Sequence, residues 1–255
     1  MSKWMRFSHN DAIKIGVLDG DTIQVYAGDM FEGPTPTDEQ LSLDGVRVMT
    51  PCQPGKMIAI WNNSGALAEK LNLTKPENPL FLIKAPNTFI AHGEPIEKPA
   101  AYDGRVVYEA ELGIVIGKKC KGASEAEARD AIFGYTCLND VTAMALIEED
   151  PSFQQWVRAK GFDTFCPFGP VIETDVNPAD LTVKGVLNGR ERQNYPVSDM
   201  FFLPDVLVSR ISAEMTLMPG DVIACGTGLG VLPMKPGSTF EVTIDGIGTL
   251  ANPYE

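Results

Sequence analysis

VVYEAELGIVIG, residues 106–117, is too rich in β-branched side chains for a comfortable helix and alternates with the period of a strand. In that reading Glu109 and Glu111 share one face with Val107, Gly113 and Val115, and the opposite face is apolar throughout. Two neighbouring carboxylates inside such a strand repel each other and lose their hydration unless a proton or a cation neutralises them. Either the glutamates lie on a solvated sheet face, or the strand is central and a metal sits beside it. A third acid, Asp140, closes a second mixed run, FGYTCLND (residues 133–140), where an Asn-Asp pair also suits a plain turn or helix cap. Three carboxylates with no histidine or cysteine among them suit a hard cation such as magnesium, which keeps water positions that a substrate displaces.

Working outward, glycine and proline punctuate the chain at short intervals, and many of the segments between them alternate with period two. IKIGVLDGDTIQVY (13–26) reads as a hairpin turned at Asp19 and Gly20, followed by a polar, proline-containing stretch over 33–39. Residues 1–50 therefore read as a small β-rich N-terminal domain joined at MTPCQP (49–54) to a second domain over 51–255. Helices are expected over 64–71, over 124–133 with Ser124 as N-cap, and over 151–160, with strands and loops elsewhere. MPGDVIACG and KPGSTFEVTIDGIGTL each set a Pro-Gly turn before an alternating strand. The fold class is mainly β (α+β), and closed or stacked sheets are the economical way to hide so many strand edges.

Composition narrows the function. The chain carries 44% hydrophobic and 22% charged residues, with no apolar run of the roughly 18 residues that span a bilayer. A formal net charge of -13 repels nucleic acid and anionic membranes. MSKWMRFSHN lacks the apolar stretch of a signal peptide, which points to the cytoplasm. Five scattered cysteines, none in C-x-x-C, read as buried reduced thiols.

YEAEL, GYTCLND and AKGFDTFCPFGP, in that order and with a late GTGLGV, closely resemble the fumarylacetoacetate hydrolase superfamily over roughly residues 50–250, and the first 50 residues resemble its smaller leading domain. The resemblance implies a mixed β-roll catalytic domain, a homodimer, and Mg2+ or Mn2+ held by Glu109, Glu111 and Asp140. It further implies a substrate-facing Lys160, and a ligand-binding role for Gly226 and Thr227 in the glycine loop. Lys160, at a helix end before Gly161, also suits a helix dipole, and Thr227 suits plain turn chemistry.

Two departures bear on the reaction. Hydrolases of this family carry N-Y-x-x-H-x-x-E on a helix that activates water. In IWNNSGALAEKLN (60–72) Asn62 fits the asparagine and Glu69 the glutamate, while Gly65 or Ala66 stands at the histidine. The only histidines are His9 and His92, the latter read as an exposed loop residue. Met144 and Ile147 replace an arginine and a glutamine that follow the aspartate in many members. The expected activity is metal-assisted enolate chemistry on a small 2-oxo acid. Hydrolytic cleavage of an acylpyruvate is the first expectation, isomerisation (2-hydroxyhepta-2,4-diene-1,7-dioate type) or decarboxylation in aromatic catabolism the second, and a metal-binding pseudoenzyme the third.

Overall fold

The computed structural model describes residues 2–255. Strands β1 (Lys3–His9), β2 (Ala12–Asp19), β3 (Thr22–Ala27) and β4 (Thr35–Ser42) form an antiparallel meander, and β5 (Arg47–Val48) pairs with β1. The hairpin turns one residue later than read: Asp19 pairs with Thr22, and Gly20, at a φ of +56°, and Asp21 make the corner. The stretch over 33–39 is not mere punctuation but enters β4 at Thr35. Pro36 is tolerated there because β4 is an edge strand and the register slips beside it.

Residues 49–56 hold no helix or strand. Beyond them come β6 (Met57–Trp61), α1 (Gly65–Leu71), β7 (Leu80–Lys84), β8 (Phe89–Ile90), β9 (Val106–Val107), β10 (Ala110–Ile116), α2 (Glu125–Ala131), β11 (Ile132–Asn139), β12 (Thr142–Ala143), α3 (Trp156–Lys160) and β13 (Cys166–Glu173). The chain finishes with β14 (Thr182–Leu187), β15 (Arg190–Pro196), α4 (Pro204–Glu214), β16 (Val222–Ala224), β17 (Ser238–Ile244) and β18 (Gly248–Tyr254). A twelve-stranded sheet runs β4-β3-β2-β1-β13-β11-β10-β16-β6-β7 along its main path, with β5 and β8 paired off it. A four-stranded antiparallel sheet, β15-β14-β17-β18, packs across β10, β11 and β13. This is the mainly β, α+β fold expected. No helix among the described residues is long and apolar enough to cross a membrane.

Burial explains the composition of the centre. All seven residues of β10 are buried, because β11 and β16 flank it and the small sheet covers it, so its apolar residues serve both faces. The strand read over 106–117 is interrupted, however. Tyr108 and Glu109 leave the ladder: the Glu109 N–H donates to Asn139 Oδ1 at 2.9 Å, and β9 pairs separately with β12. Tyr108 instead stacks on Phe240 with ring centroids 3.9 Å apart.

The helices show the same mixture of local and distant control. Ser64 and Ser124 cap α1 and α2, the latter through a full capping box with Glu127. The second expected helix stops at Ala131 rather than residue 133, because Ile132 already pairs with Ile116 in the sheet. The third is helical only over Trp156–Lys160. Ahead of it the Asp150 carboxylate accepts from the Ser152 N–H and hydroxyl, which favours turns over helix. Helix α4 was not expected at all. Its Val206, Val208 and Ile211 look strand-like, but Pro204 opens a helix whose Leu207, Val208 and Ile211 are buried.

All five cysteines are buried and unbridged, and burial pushes the thiols of Cys52, Cys137 and Cys166 up to about 12, which leaves them unreactive. His92 is half-buried rather than exposed, because its Nδ1 accepts the Ala251 N–H at 3.1 Å.

Candidate active site

Glu109, Glu111 and Asp140 converge at the ends of β10 and β11. Each offers a carboxylate oxygen, these oxygens lie within 4.8 Å of one another, and all three residues are buried. The register brings them together: Ala110 faces Asn139 across the ladder, so the residues either side of Ala110 meet the residue after Asn139. The Asp140 N–H donates to the Glu109 carbonyl at 2.9 Å and fixes the pair.

Two buried ammonium groups enter the cluster. Lys160, the last residue of α3, donates to Glu109 Oε2 at 2.8 Å, to Asp140 Oδ2 at 2.5 Å and to Thr142 Oγ1 at 2.7 Å. Its charge is therefore spent on the acids rather than on a helix dipole. Lys84, the last residue of β7, donates to Asp140 Oδ1 at 2.6 Å and to the Phe165 carbonyl at 2.9 Å. The Gly226 N–H donates to Glu111 Oε2 at 2.8 Å.

The electrostatics divide the three acids. Burial pushes the Glu111 carboxyl well above the usual glutamate range, with Asp140 and Glu109 adding to the rise and Lys160 opposing it. Burial raises Glu109 as well, against the pull of Lys160. Burial also works to raise Asp140, but Lys160 and Lys84 together outweigh it and hold that carboxyl below its ordinary value. Burial tends to discharge Lys160, yet Asp140, Glu109 and Glu111 more than reverse this and keep it an ammonium. Three acids share two ammonium groups in a buried place, so one carboxyl must either hold a proton or meet a further cation. The donors are all oxygen, so the residues fit a hard divalent metal ion.

Residues 56–254 match the family described as Fumarylacetoacetate (FAA) hydrolase C-terminal, and residues 2–51 match the one described as Rv2993c-like, N-terminal. The chain belongs to the fumarylacetoacetate hydrolase family. A solved structure of 2-hydroxyhepta-2,4-diene-1,7-dioate isomerase from Mycobacterium marinum is similar, with a TM-score of 0.91 and 37% identity over 100% of this chain and 98% of that one. Oxaloacetate tautomerase YisK of Bacillus subtilis is 34% identical over 92% of this chain and 84% of its own length. Maleylpyruvate hydrolase from Sphingobium sp. SYK-6, solved in complex with manganese (II) ion and pyruvate, has a TM-score of 0.81 and 28% identity over 99% of this chain and 98% of that one. Relatives within the fumarylacetoacetate hydrolase family thus include isomerases, a tautomerase and hydrolases.

The remaining residues that the resemblance singled out stand outside the group of three acids. Thr227 is 9% exposed and its hydroxyl is engaged within the protein, donating to the Ala110 carbonyl at 3.0 Å. Asn62, at a φ of +55°, donates from Nδ2 to the Thr74 carbonyl, and its Oδ1 is buried without a donor. Glu69 is exposed on α1, outside the group of three acids. Sequence reasoning missed Lys84 and Thr142. FLIKAPN reads as a strand ending in a solvated lysine, and only the fold reveals that the lysine turns inward. Thr142 sits two residues after Asp140 in NDVT and accepts from Lys160. That spacing was a usable signal.

Proposed function

We propose that this member is a divalent-metal-dependent enzyme that moves a proton on a small 2-oxo acid, interconverting its oxo and enol forms. The observation that supports it best is Lys160, an ammonium buried among three carboxylates and bonded to two of them. Glu109, Glu111 and Asp140 hold Mg2+ or Mn2+ in this reading. When bound, the cation supplies Lewis-acid stabilisation for negative charge on the 2-oxo oxygen.

The chain's own residues do the rest. Lys160 Nζ, held as an ammonium by Asp140 and Glu109, hydrogen-bonds that oxygen; in the enol-to-oxo direction it gives a proton to the enol carbon and the amine so formed takes the proton leaving the enol hydroxyl, so the lysine ends protonated as it began. Thr142 Oγ1 accepts from Nζ and directs it. Asn139 Nδ2, in the residue that joins Glu109 to Asp140, is buried without an acceptor, and an oxygen-rich ligand is the kind that satisfies such a donor.

Isomerisation and decarboxylation of 2-oxo acids share that enolate. Acylpyruvate hydrolysis, the first expectation from sequence, needs in addition a water that attacks a carbonyl, and loss of its general base costs about 100-fold to 10,000-fold. Glu69, the residue expected to assist, is exposed, and Gly65 and Ala66 cannot move a proton. Hydrolysis is therefore placed second, supported by the likeness to maleylpyruvate hydrolase. A pseudoenzyme does not account for two lysines buried among three acids. The proposed unit is a cytoplasmic homodimer, which light scattering checks.

The test uses metal-stripped protein, then protein with Mg2+ or Mn2+, on oxaloacetate, acylpyruvates and hydroxyheptadienedioate, following enol absorbance with product analysis. Metal-dependent loss of the enol band without fragmentation supports the proposal. Pyruvate plus a carboxylic acid establishes hydrolysis instead, and absence of metal-dependent turnover on every substrate sinks the enzymatic reading.

A further inference from the structure

Strand β16 ends before β10 does. Gly113, Ile114 and Val115 pair with Ala224, Ile223 and Val222, and the Cys225 N–H reaches the Leu112 carbonyl. Ala110, the residue between Glu109 and Glu111, lies beyond that end, so its edge faces no strand on this side. Side chains take the strand's place. Gln193 Oε1, from β15 of the small sheet, accepts the Ala110 N–H at 2.9 Å. The Ala110 carbonyl accepts from the Thr227 hydroxyl at 3.0 Å and from the Tyr195 hydroxyl at 2.6 Å.

Gln193 also faces the other way. Its Nε2 donates to Thr227 Oγ1 at 2.8 Å and to the Gly228 carbonyl at 3.2 Å, and the side chain is only 1% exposed. One amide thus grips Ala110, the residue between the two glutamates, and the loop whose Gly226 N–H holds Glu111. The surroundings make room for it. A Cβ on Gly228 would come within 2.5 Å of the Tyr195 ring, one on Gly230 within 2.0 Å of the Arg192 carbonyl oxygen, and one on Gly185 within 3.1 Å of Gln193 itself.

We infer that Gln193 is a positioning residue for the carboxylate cluster: it fixes the spacing of Glu109 and Glu111 and locks the 226–228 loop against them from the opposite sheet. It acts through Ala110 and Thr227 and touches no acid directly. This role rests on the metal reading proposed above. Residues that orient metal ligands from outside typically change metal affinity about 10-fold to 100-fold when replaced.

The experiment measures Mn2+ affinity by the electron paramagnetic resonance signal of free Mn2+, together with the melting temperature of the metal-stripped protein. It compares the wild type with Gln193→Met, Gln193→Glu, Thr227→Val and the double variant Gln193→Met/Thr227→Val. Gln193→Met keeps the volume and loses both grips, and is expected to weaken Mn2+ binding about tenfold or more. Gln193→Glu keeps the acceptor for Ala110 and loses the donor to the loop, so it separates the two arms should Gln193→Met fail to fold. The double variant is expected to be weaker than wild type by less than the product of the single effects, because both side chains serve one arrangement. Mn2+ affinity within twofold of wild type in folded Gln193→Met, or in Gln193→Glu where the former does not fold, overturns the inference even where the melting temperature falls. That pattern marks a merely structural contact. A wild type that binds no Mn2+ overturns the metal reading itself and this role with it.

Discussion

The carboxylate cluster and helix α1 are the two places where catalytic groups were expected, and they differ in every physical respect. In the cluster each acid is buried and held by named partners: Glu109 by Lys160 and Thr142, Glu111 by Gly226, and Asp140 by Lys84 and Lys160. On α1, Glu69 is exposed. The helix is tied at its start, where the Asp199 carboxylate accepts from the Ser64 hydroxyl and the Ala66 N–H, and Ala68 is its one residue buried in the core. In the proposed function the charged groups that would bind and polarise a substrate are pre-set, whereas the groups that would activate water are not. The difference teaches which groups this fold holds in fixed geometry: the acids and lysines that are buried and bonded to one another, not the exposed glutamate of α1.

Replacing one cluster acid breaks the comparison most severely. Glu111→Gln is expected to abolish tight Mn2+ binding and to lower metal-dependent turnover about a hundredfold to a thousandfold, as loss of a preorganised charge does elsewhere. At neutral pH the same change should raise the melting temperature of metal-stripped protein, because it removes the charge least welcome there. Lower melting with unchanged turnover would place Glu111 among ordinary structural residues.

Lys84→Met comes next. It leaves Asp140 with one ammonium instead of two, and breaking a buried pair by removing one partner costs about 3 to 5 kcal/mol, readable by urea denaturation. A loss below about 1 kcal/mol would show that Lys160 alone suffices for Asp140.

Smaller and graded is the pH dependence of the metal-stripped protein. Glu111 and Glu109 have folded pKa values raised above 4.5, so in the window just above 4.5 the fold binds more protons than the unfolded chain. Stability should therefore fall as pH rises from about 4.5 through their folded values. Asp140, lowered from 3.8, contributes the opposite slope at more acid pH. Saturating Mg2+ should abolish the fall above 4.5, and parallel curves with and without metal would contradict a shared site. The smallest effect belongs to α1: Glu69→Gln should leave enol turnover within about twofold, since an exposed carboxylate holds no fixed geometry. A hundredfold loss would return Glu69 to the mechanism and hydrolysis to first place.

Legibility in the sequence follows how local each feature's cause is. Glu109 and Glu111 stood out because their neighbours are apolar, and α2 because Ser124 is an adjacent cap, whereas Asp140 follows Asn139 in a mixed run and joined them only through the family resemblance. The break at Tyr108 and Glu109 was hidden, since it depends on Asn139 outcompeting a ladder bond thirty residues away. Helix α4 was masked by β-branched residues whose burial, not propensity, decides their state. Lys84 and Gln193 carry no local mark either. Both become part of the site only when β7 and the small sheet arrive beside it.

The parallel pairing of β6 with β16 has a further consequence, for assembly in time. It joins Met57, Ile58 and Ala59 to Val222, Ile223 and Ala224, and the neighbouring Lys56–Asp221 pair closes a separation of 165 residues. Pairings of such range form late and slowly, because loop-closure entropy must be overcome before they add stability. Lys84 lies inside the loop so closed and Gly226 just past its far end, so the complete cluster needs this long-range pairing. A divalent ion that binds only this state would stabilise the whole chain by mass action, making the last-formed contacts responsive to the ion's free concentration.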